Sequence, residues 1–286
     1  MSVQILCDSA SDLSKETLDS LSLEVLPLRV SINNEEYEDG QSISPLEVYE
    51  KMRNGDAPKT SQVAPEVFRE HFLKHVKQEQ PFLYFAFSSE LSGTYQTAKM
   101  VEQEIKEEYP DAQFDVLDTK AASLGYGLVV MRAAEEAEKG TSYEEILDLG
   151  TYHATHMEHI FTVDDLEYLY RGGRVSRTAA FVGSLLKIKP LLHMEDGKLV
   201  PLEKIRGSKK VLKRMVEVMG ERGEDLKNQR IAISHGDALD TAEKLAEMIK
   251  EEYGIEDIHI DLIGSAIGAH AGPGTIALFF LNQPYK

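Results

Sequence analysis

Short apolar runs in the first half of the chain alternate with longer segments that carry helix-start and helix-stop residues. Four of the runs are predicted β-strands: residues 3–6, 25–32, 82–87 and 114–117. A strand that leads through small polar residues into a helix opens a β-loop-α unit, and this order recurs along the chain. The alternation predicts an α/β fold with a mostly parallel sheet that helices cover on both faces.

Helix boundaries in this half are marked by capping residues. Two capping boxes are predicted, at residues 44–47 and 142–145, and the first has Pro45 in its first turn. Further helices are expected at residues 92–108 and 121–139, because each follows a strand and the second is ended by a glycine. These helices would supply the layers on either side of the sheet.

The second half of the chain has a different pattern. Two apolar runs, residues 188–194 and 199–205, flank Asp196-Gly197, a turn signal that predicts a β-hairpin. A helix, a strand, a helix and two strands follow, at residues 209–218, 230–234, 241–252, 258–263 and 275–281. A domain boundary is therefore expected near residue 158, with an α/β domain (residues 1–158) before a smaller α+β domain (residues 159–286).

Composition and charge narrow the class of protein. The 286 residues are 42% hydrophobic and 28% charged, as in ordinary globular proteins, and the net charge of −18 argues against nucleic-acid or anionic-membrane binding. The single Cys7 excludes an internal disulfide and suits a reducing compartment. No apolar stretch is long enough for a membrane span, and the N-terminus lacks signal-peptide features, so a cytoplasmic location is expected.

Two polar clusters in the first half are candidates for chemistry. Thr60 and Ser61 lie in a segment, residues 59–62, that is predicted to be a loop between helices. Ser92 and Gly93 follow a predicted strand, and ligands in open α/β sheets bind beyond the carboxyl ends of the strands. A hydroxyl and free backbone N–H groups at a helix start suit a carboxylate. The alternative is that Ser92 only caps the helix.

The second half contributes basic and glycine-rich clusters. Arg171 and Arg174 flank two glycines, an arrangement that presents guanidinium groups to an anion or, alternatively, is an ordinary solvated turn. Arg206 begins a second basic patch. The glycine-rich segment 264–274 lies between two predicted strands and contains His270. Glycines there indicate a sharp bend or a close approach of another group, and a lone histidine has either a structural or a chemical role.

Metal and nucleotide chemistry lack support in the sequence. His153, His156 and His159 have a spacing of three, but no cysteine or acidic pattern completes a zinc site. The chain contains no phosphate-binding loop, no dinucleotide fingerprint and no serine-hydrolase elbow. No metal and no cofactor are therefore expected.

The ordered set of motifs resembles the DegV family of bacterial fatty-acid-binding proteins, also called FakB. No one motif is specific, but they follow one another from residue 8 to residue 274 and so cover nearly the whole chain. The stretches that carry the resemblance are Asp8-Ser9-Ala10-Ser11-Asp12, Thr60-Ser61-Gln62, Leu91-Ser92-Gly93-Thr94-Tyr95, Asp118-Thr119-Lys120, Gly125-Tyr126-Gly127, Arg171-Gly172-Gly173-Arg174-Val175-Ser176, Lys189-Pro190-Leu191-Leu192, Asp196-Gly197-Lys198-Leu199, Arg206 with Lys209, and His270-Ala271-Gly272-Pro273-Gly274.

The resemblance implies a two-domain α/β protein that encloses a long-chain fatty acid, such as palmitate, stearate or oleate, in a buried tunnel between the domains. It implies a carrier that is not itself an enzyme. A separate fatty acid kinase, FakA, would phosphorylate the bound carboxylate, and the acyl phosphate would enter phospholipid synthesis. The residues implied to hold the carboxylate are Thr60, Ser61, Ser92 and Gly93, with His270 beside it; those implied to meet the kinase are Arg171 or Arg174, and Arg206.

Two other functions are compatible with the residues. One is a phosphotransferase or acyl hydrolase that uses Ser92 and His270. The other is a regulatory protein whose partner is bound independently of lipid. An activity assay of the isolated protein separates the first from a carrier, and lipid-independent partner binding identifies the second.

Overall fold

The computed structural model describes residues 2–176 and 188–285. The strands are β1 (Gln4–Asp8), β2 (Glu24–Leu26), β3 (Arg29–Ile32), β4 (Glu35–Glu38), β5 (Lys59–Ser61), β6 (Phe82–Ala86), β7 (Phe114–Asp118), β8 (Met157–Thr162), β9 (Ile188–Glu195), β10 (Lys198–Arg206), β11 (Ile231–His235), β12 (Ile258–Leu262) and β13 (Ile276–Leu281). The helices in this part of the chain are α1 (Lys15–Ser20), α2 (Pro45–Arg53), α3 (Pro65–Val76), α4 (Thr94–Glu108), α5 (Ser123–Glu138), α6 (Tyr143–His156), α7 (Leu166–Arg171), α8 (Ser208–Arg222), α9 (Leu239–Tyr253) and α10 (Ser265–Ala271).

A four-stranded parallel sheet forms the centre of the first half, with the strand order β2-β1-β6-β7. This confirms the parallel sheet that the alternating pattern predicts. Strand β6 is buried along its whole length, which is why its sequence is an uninterrupted apolar run. The single strand expected at residues 25–32 is two strands, β2 and β3, because Pro27 between them has no N–H to donate.

A small antiparallel sheet has the strand order β4-β3-β5. Its three strands come between β2 and β6 of the parallel sheet in the sequence. The prediction that residues 59–62 form a loop is wrong, since Lys59–Ser61 is strand β5 and Val30 pairs with Thr60. Strand β5 is short, polar and at the edge of its sheet, so no apolar alternation marks it in the sequence.

A six-stranded mixed sheet occupies the second half, with the order β10-β9-β8-β13-β11-β12. The predicted hairpin is confirmed: β9 and β10 are antiparallel, and Asp196 and Gly197 at the turn have φ values of 49° and 82°. Strand β8, which pairs with β13 and β9, was not predicted. The domain boundary near residue 158 falls within β8 and remains a prediction.

Helix α5 lies between the two large sheets. It packs against β1 of the parallel sheet on one side and against β11 and β13 of the mixed sheet on the other. Twelve of its 16 residues are buried, and Gly125 brings the helix against His159 and Phe279 of the mixed sheet. Helix α5 therefore joins the two large sheets.

Candidate functional site

A cavity of about 340 Å³ lies where the loop after β6 meets the inner face of the mixed sheet, a volume within the range of small-molecule sites. Most of its wall is apolar. The mixed sheet contributes Phe161, Ala277 and Phe279, which β8 and β13 present on one face through their alternate residues. The hairpin contributes Met194 and Leu199, one on each side of its turn.

Polar groups are gathered at one part of the cavity wall. Thr60 Oγ1 of β5 and His270 Nε2 of α10 lie 2.6 Å apart and share a hydrogen bond. Ser92 Oγ lies 2.8 Å from Thr94 Oγ1 and accepts a hydrogen bond from the N–H of Thr94 at 3.2 Å. Strand β5 and helix α10 thus bring a hydroxyl and an imidazole together, and the contact of Gln62 with Gly93 places the start of α4 beside the end of β5.

Gly93 is the N-cap of α4, and the Ser92 hydroxyl accepts a hydrogen bond from the N–H of Thr94, the first residue of the helix. The first N–H groups of a helix have no acceptor within it, and they carry the positive end of the helix dipole. Gly93 lies so close to Gln62 that a Cβ atom at position 93 would collide with the amide oxygen. Gly93 lines the cavity, and the positive end of the helix dipole there suits an anionic group.

The electrostatics of the polar end favour a neutral histidine. Burial, reinforced by the charge of Arg174, lowers the pKa of His270 to about 4. Arg174 Nε donates to the carbonyl of Leu91 at 3.1 Å, and another guanidinium nitrogen donates to the carbonyl of Gly172. Burial also lowers the pKa of Arg174, which remains a cation. An anion at this end would meet a fixed positive charge and a histidine able to gain a proton.

The structure brings the predicted ligand-binding residues together. Thr60, Ser61, Ser92, Gly93 and His270 all line the cavity. Their contact with a ligand remains a prediction.

The three arginines expected at a partner surface are in different positions. Arg174 is half-buried and lines the cavity, whereas Arg171 and Arg206 are exposed and do not. The Arg171 guanidinium lies over the ring of Tyr168, 5.0 Å from its centroid. Arg206 ends β10, at the start of the basic segment that continues into α8. Their contact with a partner protein also remains a prediction.

His159 and Ser123 line the cavity but are not among the residues that the sequence singles out as ligand-binding. His159 lies on β8, away from His153 and His156 on α6. Its Nε2 accepts from the N–H of Ala122 at 3.1 Å, and its Nδ1 donates to the carbonyl of Met157 at 3.1 Å. Burial lowers its pKa to about 4. Both ring nitrogens are engaged, so His159 is a neutral wall residue.

Within residues 2–176 and 188–285 no cluster of histidine, cysteine or acidic side chains is arranged for a metal ion. None of the helices in these ranges combines the length and the apolar character needed to cross a bilayer. The location expected from the sequence remains a prediction.

Known proteins resemble this chain over nearly its full length. A family model described as "Uncharacterised protein, DegV family" matches residues 2–283. A DegV domain-containing protein of Clostridium perfringens is 45% identical over 282 residues, which are 98% of this chain and 97% of that protein. The chain belongs to the DegV family. This confirms the resemblance to the DegV family that the ordered sequence motifs indicated.

Solved structures of other proteins have the same fold as this chain. A fatty-acid-binding DegV protein from Thermus thermophilus superposes with a TM-score of 0.89 at 32% identity, covering 98% of this chain and 99% of that one. A stearic-acid-binding protein from Eubacterium ventriosum gives a TM-score of 0.85 at 27% identity, with 97% of each chain covered. The expected DegV fold, mixed α/β with a parallel sheet and a second sheet, is therefore confirmed.

Proposed function

We propose that this DegV protein binds one long-chain fatty acid, with the acyl tail in the cavity and the carboxylate at its polar end. The observation that carries the proposal is the shape of the cavity, whose apolar wall ends at Ser92, the start of α4 and the Thr60–His270 hydrogen bond. The relatives from Thermus thermophilus and Eubacterium ventriosum are described as binding fatty acids, stearic acid in the second. Palmitate, stearate and oleate are the candidate ligands.

The energetics of such a complex are favourable. Burial of about 15 methylenes at about 0.8 kcal/mol each contributes roughly 12 kcal/mol before the costs of ordering the ligand. A buried carboxylate is costly unless hydrogen bonds and charge compensate it. The hydroxyls of Thr60 and Ser92, the N–H groups at the start of α4 and the Arg174 charge are groups of the right kind. The cavity therefore suits both ends of a fatty acid.

The fate of the ligand forms the second part of the proposal. A separate fatty acid kinase, FakA, phosphorylates the carboxylate while the DegV protein holds the acid, and the acyl phosphate enters phospholipid synthesis. The protein is then a cytoplasmic carrier that performs no catalysis itself. Arg171 and Arg206 support this proposal as exposed cations on a chain of net charge −18. Positive charge suits an acidic kinase surface or the phosphates of ATP.

The alternative, an acyl hydrolase or phosphotransferase based on Ser92 and His270, requires the histidine to activate the serine. In the structure, His270 Nε2 bonds Thr60 and the Ser92 hydroxyl bonds Thr94. The two residues thus have separate hydrogen-bond partners, which favours the carrier. An acyl-ester or ATP turnover by the isolated protein would reverse that preference.

Native mass spectrometry of the purified protein, followed by lipid extraction, tests the carrier directly. One fatty acid per chain is expected, and its identity reports the preferred chain length and saturation. Addition of the kinase and ATP should then convert the bound acid to acyl phosphate. A protein that is empty and takes up neither oleate nor palmitate would overturn the first part. A lipid-loaded protein whose bound acid the kinase does not convert to acyl phosphate would overturn the second.

A further inference from the structure

Helix α10 is joined to the small antiparallel sheet at both of its ends. At the carboxyl end, Thr60 of β5 is hydrogen-bonded to His270. At the amino end, a carboxylate oxygen of Asp39 accepts a hydrogen bond from the N–H of Ser265 at 2.9 Å. Asp39 directly follows β4, and β4 and β5 both pair with β3. One small sheet therefore holds the helix at two points.

The helix is short enough for one attachment to affect the other. Its seven residues span about 10 Å, so a displacement of the first turn is carried to His270 with little room for bending. Asp39 is itself fixed: its side chain is buried, and its N–H donates to the carbonyl of Leu28, a cavity residue, at 2.9 Å. The position of Ser265 relative to the cavity is thus set by a rigid acceptor.

The segment that leads into α10 is held by neighbouring groups. Tyr49 donates its hydroxyl hydrogen to the carbonyl of Ile263 at 3.0 Å. A Cβ atom on Gly264 would lie 2.6 Å from an oxygen of Asp12, so the backbone passes directly against that carboxylate. Asp39 differs from these residues because it bonds the first residue of the helix itself.

We propose that Asp39 is a positioning residue for the polar end of the cavity: by holding the first turn of α10 it fixes His270 against Thr60. The role of Asp39 in fatty acid binding rests on the proposed function, whereas its effect on the position of His270 does not. Asparagine retains an acceptor for the Ser265 N–H, but alanine leaves that buried donor without a partner. The two substitutions therefore distinguish the hydrogen bond from the charge.

The test compares Asp39→Ala and Asp39→Asn after lipid removal, by NMR titration of the histidine side chains and by palmitate binding. In Asp39→Ala the pKa of His270 is expected to rise from about 4 towards 6.5, and palmitate affinity to fall about tenfold. Asp39→Asn should keep both values near those of the unmodified protein. Unchanged titration of His270 in a folded Asp39→Ala protein would overturn the proposal.

Gln229→Ala is the matched control, because Gln229 is buried and its side chain bonds Leu281 and Glu224, outside α10. It should lower the melting temperature and leave the His270 titration unchanged. If Gln229→Ala shifts the pKa of His270 as much as Asp39→Ala does, the shift reflects general destabilisation of the fold and the proposal is overturned. If Asp39→Ala does not fold, Ser265→Pro removes the same hydrogen bond from the donor side at a helix position that accepts proline. A shifted His270 in a protein that never binds palmitate would support the positioning role and overturn only the proposed ligand.

Discussion

Gly172 lies directly against the imidazole of His270, and a Cβ atom at position 172 would collide with the Nδ1 side of the ring. Gly172 has ordinary helical dihedral angles, φ −71° and ψ −14°, so its backbone does not require glycine. The residue is therefore small because the histidine needs the space. This contact joins the turn after α7 to the polar end of the cavity.

Gly172→Ala is expected to displace His270 and to weaken fatty acid binding about tenfold, since Thr60 loses its partner. Isothermal titration of the delipidated protein with palmitate measures the effect. The matched control is Gly173→Ala, because Gly173 has φ of 74° and no atom of the described residues lies within 4 Å of the place its Cβ would take. That variant should lose about 1 kcal/mol of stability yet bind normally. Equal binding by both variants would contradict the prediction.

Ser92→Ala is expected to reduce the retention of fatty acid and to slow its phosphorylation by the kinase. The substitution removes a hydroxyl from the polar end of the cavity and leaves the Thr94 side chain without its partner. A loss of about fivefold to tenfold in affinity corresponds to one neutral hydrogen bond. Ser89→Ala is a suitable control, since Ser89 follows the same strand and bonds Lys120 instead. Unchanged retention and kinetics would remove Ser92 from the site.

The depressed pKa of His270 predicts a pH dependence of stability in the ligand-free protein. Its pKa is about 4 when folded against 6.5 ordinarily, so between these pH values the unfolded chain binds a proton that the folded chain does not. This contribution to stability is complete above pH 6.5 and is lost as the pH falls towards 4. Urea unfolding of His270→Gln should show a slope smaller by up to about 1.4 kcal/mol per pH unit in that window.

Other groups keep their own pH dependence in both proteins, so the difference between the two curves reports His270. His159 has a pKa of about 4 and changes stability in the same direction, whereas burial raises the pKa of Asp8 to about 6 and changes it in the opposite direction. Parallel stability curves for the two proteins between pH 6.5 and 4 would show that His270 titrates normally.

Elements that are buried on both faces were predictable from the sequence, as β6 and α5 show. Every position of β6 is apolar, so the run itself marks the strand, whereas α5 is marked by a mostly apolar sequence and the glycine that follows it. Strand β5 was missed because it is a polar edge strand, and α10 because a glycine-rich sequence favours a bend. The glycines there do permit close approach, since the hydroxyl of Tyr49 would lie 2.6 Å from a Cβ atom on Gly268.

The residues at the polar end of the cavity could be predicted individually from the sequence. The contact between Thr60 and His270 could not. Hydroxyls and glycines after strands indicate a ligand site, and this reasoning with the family resemblance selected Thr60 and His270. The two residues are separated by 210 positions, and their contact depends on the packing of β5 against α10. His159 was considered only with the α6 histidines, because the sequence does not show that β8 begins at Met157.

Arg206→Ala is expected to leave the bound fatty acid in place and to slow the kinase reaction. The side chain is exposed and outside the cavity, so its loss removes positive charge without changing the cavity wall. The KM of the kinase for the loaded protein should rise several-fold, and the effect should weaken with salt. Lys15→Ala, an exposed cation on α1, is the control. If Arg206→Ala empties the cavity instead, the residue has a different role from the one proposed.

Ser88→Ala is expected to accelerate fatty acid exchange, because Ser88 holds the tip of the β9–β10 hairpin. The Ser88 hydroxyl donates to the carbonyl of Gly197 at 2.8 Å. A Cβ atom on Gly197 would lie 2.6 Å from the hydroxyl oxygen of Ser88, so the two residues are in close contact. Met194 and Leu199, on either side of this turn, line the cavity, so a more mobile hairpin tip opens the cavity wall over the ligand.

Transfer of a fluorescent fatty acid from the Ser88→Ala protein to vesicles should be several-fold faster than from the unmodified protein. Thr119→Val, which removes a buried hydrogen bond to Ala86 away from the hairpin, should leave the transfer rate unchanged. Equal rates for Ser88→Ala and the unmodified protein would show that the ligand exchanges through another part of the wall.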